Sequence, residues 1–313
     1  MMFSVLNSRA PSNLALKRLF DNSALLELQH QAERLDTAHH AEQILLSRRA
    51  GNLATKAPGS GNDYAESRLY QPGDDIRSIN WRLSARTQDT FVKTFHIESR
   101  PTINLLLDRR RSMLFGTRHQ LKDTLALRLA FLLAFASEFH QLDFHAWVVS
   151  DHPKSIKHYD DRYTFIEQEN HPPALSETPS KINLQRLLVD MVELRPQGSL
   201  YFLISDFMAL DDTLLPELVQ LTAHGYTQAI HIVDPAEIQL PDCGRVKLQG
   251  LFSTQNISLD THVAKDADLF TGHAQQSLAT IQALLNQAGS HYHQLMTDTQ
   301  DLSRAFMLPL GIR

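Results

Sequence analysis

The sequence predicts an α/β protein built on a doubly wound, mostly parallel sheet. Strand-like apolar runs alternate with helical segments from about residue 101 to residue 240, the pattern of a parallel sheet covered by helices on both faces. One run, TINLLL at residues 102–107, is continuously apolar, as a strand buried on both faces must be. Three runs stop on an aspartate: LLLD at Asp108, LISD at Asp206 and HIVD at Asp234. Carboxylates at the ends of parallel strands lie where open α/β sheets gather their ligands.

Residues 14–49 carry apolar side chains at helical spacing, among them Leu25, Leu28, Ala32 and Leu35, and predict one or two amphipathic helices. GNLATKAPGSGN at 51–62 is a loop by its glycine, proline and serine content. Residues 89–98 alternate large apolar with polar side chains, a strand punctuated by Arg100-Pro101. A strong amphipathic helix follows at 119–140, with Leu121, Leu125, Leu129, Leu132 and Phe135 on its inner side. Residues 144–149 predict a strand, 153–179 a long polar excursion, 184–194 a helix, 200–204 a strand, 214–224 a helix and 229–233 a strand. Beyond Asp234-Pro235, residues 245–259 predict a β excursion and 262–299 a long helical tail. The expected organisation is an N-terminal helical segment (1–50), a polar extension with short strands (51–100), the α/β domain (101–240), and the β excursion with a C-terminal helix (241–313).

At 313 residues, 42% hydrophobic and 21% charged, the chain has the composition of a globular protein with a full core. Its one cysteine, Cys243, excludes a disulfide framework and a CxxC metal ribbon and points to a reducing compartment. The N-terminus lacks the apolar stretch of a signal peptide, and the longest apolar passage, residues 125–136, includes Arg128 and is too short to span a bilayer. The expectation is a cytoplasmic protein with no membrane insertion. Net charge is −5, yet residues 67–118 hold ten Lys or Arg against five Asp or Glu. That local excess is either a basic face or a set of arginines paired internally with Asp74, Asp75 and Glu98.

Two or three carboxylates at one sheet edge suit a hard cation such as magnesium, which takes oxygen ligands. Equally, an aspartate at a strand end caps the next helix, and Asp234 before Pro235 reads that way. Pro72-Gly73 suits a tight turn that Asp74 and Asp75 close through backbone bonds or by pairing with Arg77, Arg82 and Arg86. Trp81 is either a core anchor or, with these arginines, a docking surface, since Trp and Arg dominate interface hot spots. His39-His40 and His291-Tyr292-His293 are placed in helical stretches where neighbours face apart, so no histidine metal site is expected. There is no GxSxG elbow, no P-loop and no dinucleotide glycine loop, and Cys243 has no evident histidine partner.

One set of residues carries a resemblance: Arg68 and Tyr70, Pro72-Gly73-Asp74-Asp75, Arg77, Trp81, Ala85-Arg86-Thr87, Glu98, Asp108, Ser112-Met113, Phe115-Gly116, Lys122, Ser205-Asp206-Phe207, and Val233-Asp234-Pro235 with Glu237. By these the chain resembles the bacterial domain-of-unknown-function family number fifty-eight, whose members are similar to von Willebrand factor A domains. Such domains often hold a divalent cation in a metal-ion-dependent adhesion site, an Asp-x-Ser-x-Ser turn with a later Thr and a later Asp. Here the resemblance places Asp108, Ser112 and Asp206 on ligand positions, but Arg110 replaces the middle Ser, and Lys181-Ile182 stands where the Thr would fall. It therefore implies a degenerate, weak metal site, with no cofactor expected and magnesium as the ion such a site would take. Either Arg110, or a neighbour in 109–111, pairs with Asp108 or Asp206 in place of the metal, or Arg110 points outward and a weak magnesium site survives on Asp108, Ser112 and Asp206.

The resemblance further implies a partner, a MoxR-type AAA+ ATPase with its client protein. The chain is then a non-enzymatic interaction module or adaptor in protein maturation or remodelling, with Asp74, Asp75, Arg77, Trp81, Arg86 and Arg110 as partner-binding residues. Two alternatives compete: a metal-dependent hydrolase using Asp74, Asp75, Asp108 and Asp206, and a nucleic-acid-binding protein using residues 67–118, although no nucleic acid is expected.

Overall fold

A computed structural model describes residues 3–5, 18–34, 63–72, 74–87, 89–96, 102–151, 156–173, 182–193, 199–250 and 256–302. The chain forms two compact units, one of residues 42–100 and one of residues 1–41 with 101–313. The loop expected at 51–62, the helical pattern at 35–49 with His39-His40, and Gly73, Glu98 and Lys181 lie outside the described residues.

The larger unit is organised by a six-stranded sheet. Its strands are β4 (Thr102–Asp108), β5 (Asp143–Val149), β6 (Ile156–Tyr159), β7 (Leu200–Ser205), β8 (Tyr226–Val233) and β11 (His291–Met296), in the spatial order β11-β8-β7-β4-β5-β6. All neighbours pair in parallel except β6, which runs antiparallel to β5 at the edge. Strand order reverses between β4 and β7, because the chain winds outward from β4 through β5 and β6, then returns to β7 and winds the other way. Every residue of β7 and β8 is buried, as a strand covered on both faces requires.

Helices α3 (Lys122–Phe139) and α4 (Arg162–Glu169) cover one face of the sheet. Helix α1 (Asn22–Glu33) packs on α3 from outside. That second layer corrects the amphipathic expectation: from Leu125 to Ser137 only Arg128 is not buried, and Leu121 precedes the helix and is exposed. A helix between a sheet and another helix must be apolar almost all round. On the other face, α5 (Leu184–Glu193), α6 (Leu215–His224) and α8 (Ala264–Gln287) enclose a core containing Trp147, Leu188, Leu203, Leu218 and Leu285.

Three further expectations are corrected. The excursion at 153–179 contains β6 and α4, the latter capped by Asp161, whose side chain accepts from the Thr164 N–H at 2.7 Å. The C-terminal helical tail ends at Gln287. Gly289, at φ +85°, takes the left-handed conformation that stops a helix, and residues 291–296 continue as the parallel strand β11 on β8. His291-Tyr292-His293 is therefore strand, not helix. The β excursion is present as β9 (Arg245–Gly250) and β10 (Asn256–Asp260), which form a three-stranded antiparallel sheet with β1 (Phe3–Val5). Between β8 and β9 lies the short helix α7 (Pro235–Ile238).

The smaller unit is an antiparallel pair, β2 (Asp63–Leu69) with β3 (Phe91–His96), whose connection holds a 3-10 turn at Ile76–Ser78 and helix α2 (Trp81–Thr87). Asn80 starts α2 by accepting from the Leu83 N–H at 3.2 Å, and Ser84 Oγ accepts from the Phe91 N–H at 2.9 Å. These polar bonds do the closing that a large core does elsewhere. Ile79 and Val92 are its buried apolar side chains among the described residues.

Candidate functional site

At the reversal of strand order, β4 delivers Asp108 and β7 delivers Ser205 and then Asp206. Diverging chain at such a point leaves a crevice beyond the carboxyl ends of the strands. Asp108 is buried and does not stand open. The Arg110 guanidinium meets it fork to fork, Nε to Oδ1 at 2.9 Å and Nη2 to Oδ2 at 2.5 Å, and the Arg110 backbone N–H donates to Oδ1 at 3.0 Å. From β7, Ser205 Oγ donates to Oδ2 at 2.7 Å. Burial costs the Arg110 cation, but Asp108, and beyond it Asp206 and Asp151, outweigh that cost and hold the guanidinium firmly protonated.

Asp206 has a different cation. Lys122, the first residue of α3, is fully buried and donates from Nζ to Asp206 Oδ2 at 3.0 Å and to Glu237 Oε1 at 2.7 Å. Burial works against its charge, yet the two carboxylates raise its pKa above the usual lysine value. Burial also pushes the Asp206 carboxyl up, but Lys122, the Ser112 hydroxyl and Arg110 prevail and hold it below the carboxylate range. For Glu237 burial wins over Lys122, and its pKa is raised. The turn leading to Lys122 is tight: its N–H donates to the Phe115 carbonyl at 2.8 Å, and a Cβ on Gly116 would lie 2.3 Å from the Gln120 carbonyl oxygen. Phe207, next to Asp206, adopts φ +51°, a backbone strain at the crevice. Its N–H donates to Ser205 Oγ at 2.9 Å, and the Met208 N–H donates to Asp206 Oδ1 at 3.2 Å.

A third cation, Arg109, points away from the crevice into the core and is 2% exposed. It forks onto Asp123 at 2.8 and 2.9 Å, reaches Glu169 Oε2 at 2.7 Å, and donates to the Glu169 and His171 carbonyls. Asp151 accepts from the Arg111 N–H at 2.6 Å. Asp234 is the helix cap the sequence suggests: it closes a capping box with Glu237 at the start of α7 and accepts from the Thr117 N–H at 2.8 Å.

The structure thus brings Asp108, Arg110, Ser112 and Asp206 to one edge. Beside Arg110 opens a cleft of about 430 Å³ lined by Ile182, Asn183, Leu184, Ala209, Asp211 and Leu214. Asp74, Asp75, Arg77, Trp81 and Arg86 belong to the smaller unit. There Asp74 closes the turn through a backbone bond, accepting from the Gln71 N–H, which is one of the two expected arrangements, and its ion pair is with Arg68, at 2.6 and 2.7 Å, rather than with Arg77, Arg82 or Arg86. Arg68 is near because β2 runs directly into the turn. Asp75 closes the turn as anticipated, accepting from the Arg77 N–H at 2.9 Å. Arg77 and Arg86 are exposed, and Trp81 is 66% exposed, so Trp81 is not a core anchor.

Of the residues at this edge, Lys122 is one that charge and spacing did not single out, although the family resemblance includes it, and Arg109 pairs with Asp123 and Glu169 rather than with Asp108 or Asp206. Lys122 opens a helix and Arg109 lies in an arginine triplet, and both patterns ordinarily mean solvated surface. Their signal is contextual: Lys122 sits at the head of an almost wholly apolar helix, where a charge has no water to face.

Curated relatives include the uncharacterized proteins Mb1516 of Mycobacterium bovis and Rv1480 of Mycobacterium tuberculosis, each 26% identical over 246 residues that cover 77% of this chain and 76% of theirs. Among solved structures, the conserved hypothetical protein BatB from Bacteroides thetaiotaomicron aligns with TM-score 0.39 at 9% identity, over 66% of this chain and 94% of that one. The SpRpn10 VWA domain aligns with TM-score 0.35 at 10% identity, over 66% and 93%. Residues 66–278 match the family described as Protein of unknown function DUF58, a span that runs from the Arg68–Asp74 turn through Asp108, Lys122, Asp206 and Glu237, and the chain belongs to that family.

Proposed function

We propose that this chain is a non-enzymatic protein-interaction module that acts with a MoxR-type AAA+ ATPase in the maturation or remodelling of a client protein. The observation that carries this reading is that the strand-end carboxylates are already neutralised by the chain's own cations. A hard divalent ion needs open oxygen ligands at about 2.0–2.6 Å. Both oxygens of Asp108 accept from the Arg110 guanidinium, and Asp206 is held by Lys122. An ion on Asp108, Ser112 and Asp206 would lie against two fixed positive charges, so the residues as folded do not fit magnesium. A metal-dependent hydrolase is disfavoured for the same reason, and Asp74 lies in the fork of Arg68.

The ATPase partner rests on the family resemblance alone. Two surfaces suit a protein: the cleft beside Arg110 in the larger unit, and the exposed Trp81 with Arg77 and Arg86 in the smaller one. Trp and Arg are the residue types that most often dominate interface energy. Nucleic-acid binding is less favoured, because Arg68, Arg109 and Arg110 of the basic stretch are spent on internal carboxylates.

The test is affinity capture of the tagged full chain from its own cells, beside Trp81→Ala and Arg110→Ala variants whose folding is checked by thermal melting. An AAA+ ATPase recovered with the parent chain and reduced in a folded variant supports the reading. Absence of any AAA+ ATPase from every preparation overturns it.

A further inference from the structure

We infer that the edge ribbon formed by β5 and β6 carries a binding site for a borderline transition-metal ion of the zinc class, made by His145, His158 and Asp160. The site is remote in character from the strand-end carboxylates: it is nitrogen-rich and lies on an antiparallel pair at the sheet edge.

The ribbon's register builds it. Trp147 pairs with His158 and Ala146 with Tyr159, so the next step of the same ladder sets His145 opposite Asp160. Side chains two residues apart on a strand share a face, which puts His158 and Asp160 on the face that His145 and Trp147 occupy on β5. His145 Nδ1 lies 2.7 Å and His158 Nε2 3.3 Å from Asp160 Oδ1, and the three ligand atoms all lie within 4.8 Å of one another. Zinc bonds of about 2.0–2.2 Å to nitrogen and oxygen place tetrahedral ligands roughly 3.4 Å apart. The His145–Asp160 and His158–Asp160 spacings of 2.7 and 3.3 Å lie at or below that value, so a modest opening of the three side chains seats an ion. Two imidazoles and one carboxylate select zinc, nickel, cobalt or copper over magnesium, which prefers oxygen. The nearest lysine on the ribbon, Lys157, alternates to the other face and is bound to Glu169 at 2.7 Å, so it does not oppose a cation here.

The surroundings hold the ligands in place. His145 is half-buried, and the His158 ring stacks on Trp147 with centroids 4.5 Å apart and planes at 27°, while Trp147 itself is buried. His158 and Asp160 are exposed, Asp160 at 68% of its side chain, which leaves the open side of the site to water or to a further ligand. An ion binds the lone pairs of His145 Nδ1 and His158 Nε2, so the proton that His145 Nδ1 donates to Asp160 Oδ1 at 2.7 Å in the ion-free structure must leave that nitrogen as the ion enters. The ion would also tie β6 to β5, the pairing that ends the sheet.

Trp147 is the reporter. The chain has two tryptophans, so Trp81→Phe leaves Trp147 as the sole emitter. An open-shell ion bound to His158 quenches it through the stacked ring. Nickel added to the Trp81→Phe chain is expected to quench its fluorescence saturably with one ion per chain, and zinc, a closed-shell ion, is expected to displace the nickel and restore emission. His145→Gln and Asp160→Asn leave the Trp147–His158 stack in place and are expected to weaken binding at least about 100-fold, since losing even an outer-shell partner costs about 10–100-fold. No saturable quench, failure of zinc to reverse it, or binding by either variant as tight as by the Trp81→Phe chain overturns the site. Circular dichroism confirms that the variants are folded.

Discussion

Replacing Lys122 by methionine tests whether the crevice is held by charge. Lys122 is fully buried, and its Nζ lies 3.0 Å from Asp206 and 2.7 Å from Glu237. At an effective dielectric of about 20 each contact is worth roughly 5–6 kcal/mol of attraction, set against desolvation of three ions and repulsion between the carboxylates. Methionine keeps most of the volume and removes only the charge. Two buried carboxylates then remain without their cation, and breaking such a pair costs about 3–5 kcal/mol. At about 2–4 °C per kcal/mol for a domain of this size, the melting temperature falls by roughly 6–20 °C.

The pH dependence separates charge from packing. In the parent chain the lowered pKa of Asp206 contributes stability that is present above its unfolded value and lost as pH falls through the folded one. The raised pKa of Lys122 contributes stability that is present at neutral pH and lost only when pH rises through its folded value. Without Lys122 both carboxyls move up and protonate on mild acidification. The deficit of the variant therefore shrinks between about pH 7 and about pH 5. Urea denaturation followed by circular dichroism at the two pH values measures it, with Lys122→Met/Asp206→Asn/Glu237→Gln expected to recover much of the loss. A deficit below about 1 kcal/mol, or one equal at both pH values, refutes the reasoning.

Arg109→Lys keeps the charge but cannot reproduce the fork onto Asp123 together with the bonds to Glu169 and the two carbonyls, and is expected to cost roughly 2–4 kcal/mol in denaturant titration. Gly116→Ala forces a Cβ to within 2.3 Å of the Gln120 carbonyl oxygen and shifts the turn that sets Lys122, with an expected loss of about 1–3 kcal/mol by the same measurement. Titration calorimetry with magnesium is expected to give no binding heat for the parent chain, and none for Arg110→Ser, because Lys122 still holds Asp206. Saturable heat from the folded parent chain would refute the account of the crevice.

Much of the fold was legible because it rests on patterns that local sequence carries. The strands β4 and β7 are apolar runs with clear limits, whereas β5 and β8 were legible by their apolar parts, β8 beginning at Tyr226 ahead of the expected 229. What failed had tertiary causes. Helix α3 looked one-sided until α1 covered its outer side. Strand β11 reads HYHQLM, too polar for a central strand, and it forms because the edge position on β8 buries little more than Leu295. The stop before it, Gly289, was a visible signal that the preceding helical run obscured.

The carboxylates were equally legible, but what neutralises them was only half so. Arg110 follows Asp108 by two residues, and a side chain that close turns back on its neighbour, so sequence order alone suggests the pair. Lys122 reaches Asp206 from 84 residues away and Glu237 from 115, and no local pattern predicts that meeting. The two cations act on one edge from opposite directions, Arg110 from the loop after β4 and Lys122 from the head of α3. Loss of the loop arginine alone would still leave Asp206 engaged, whereas loss of Lys122 alone would leave Asp108 engaged. A cation-binding crevice would therefore require both substitutions, and this is why the single missing serine at Arg110 is not by itself what sets the character of the site.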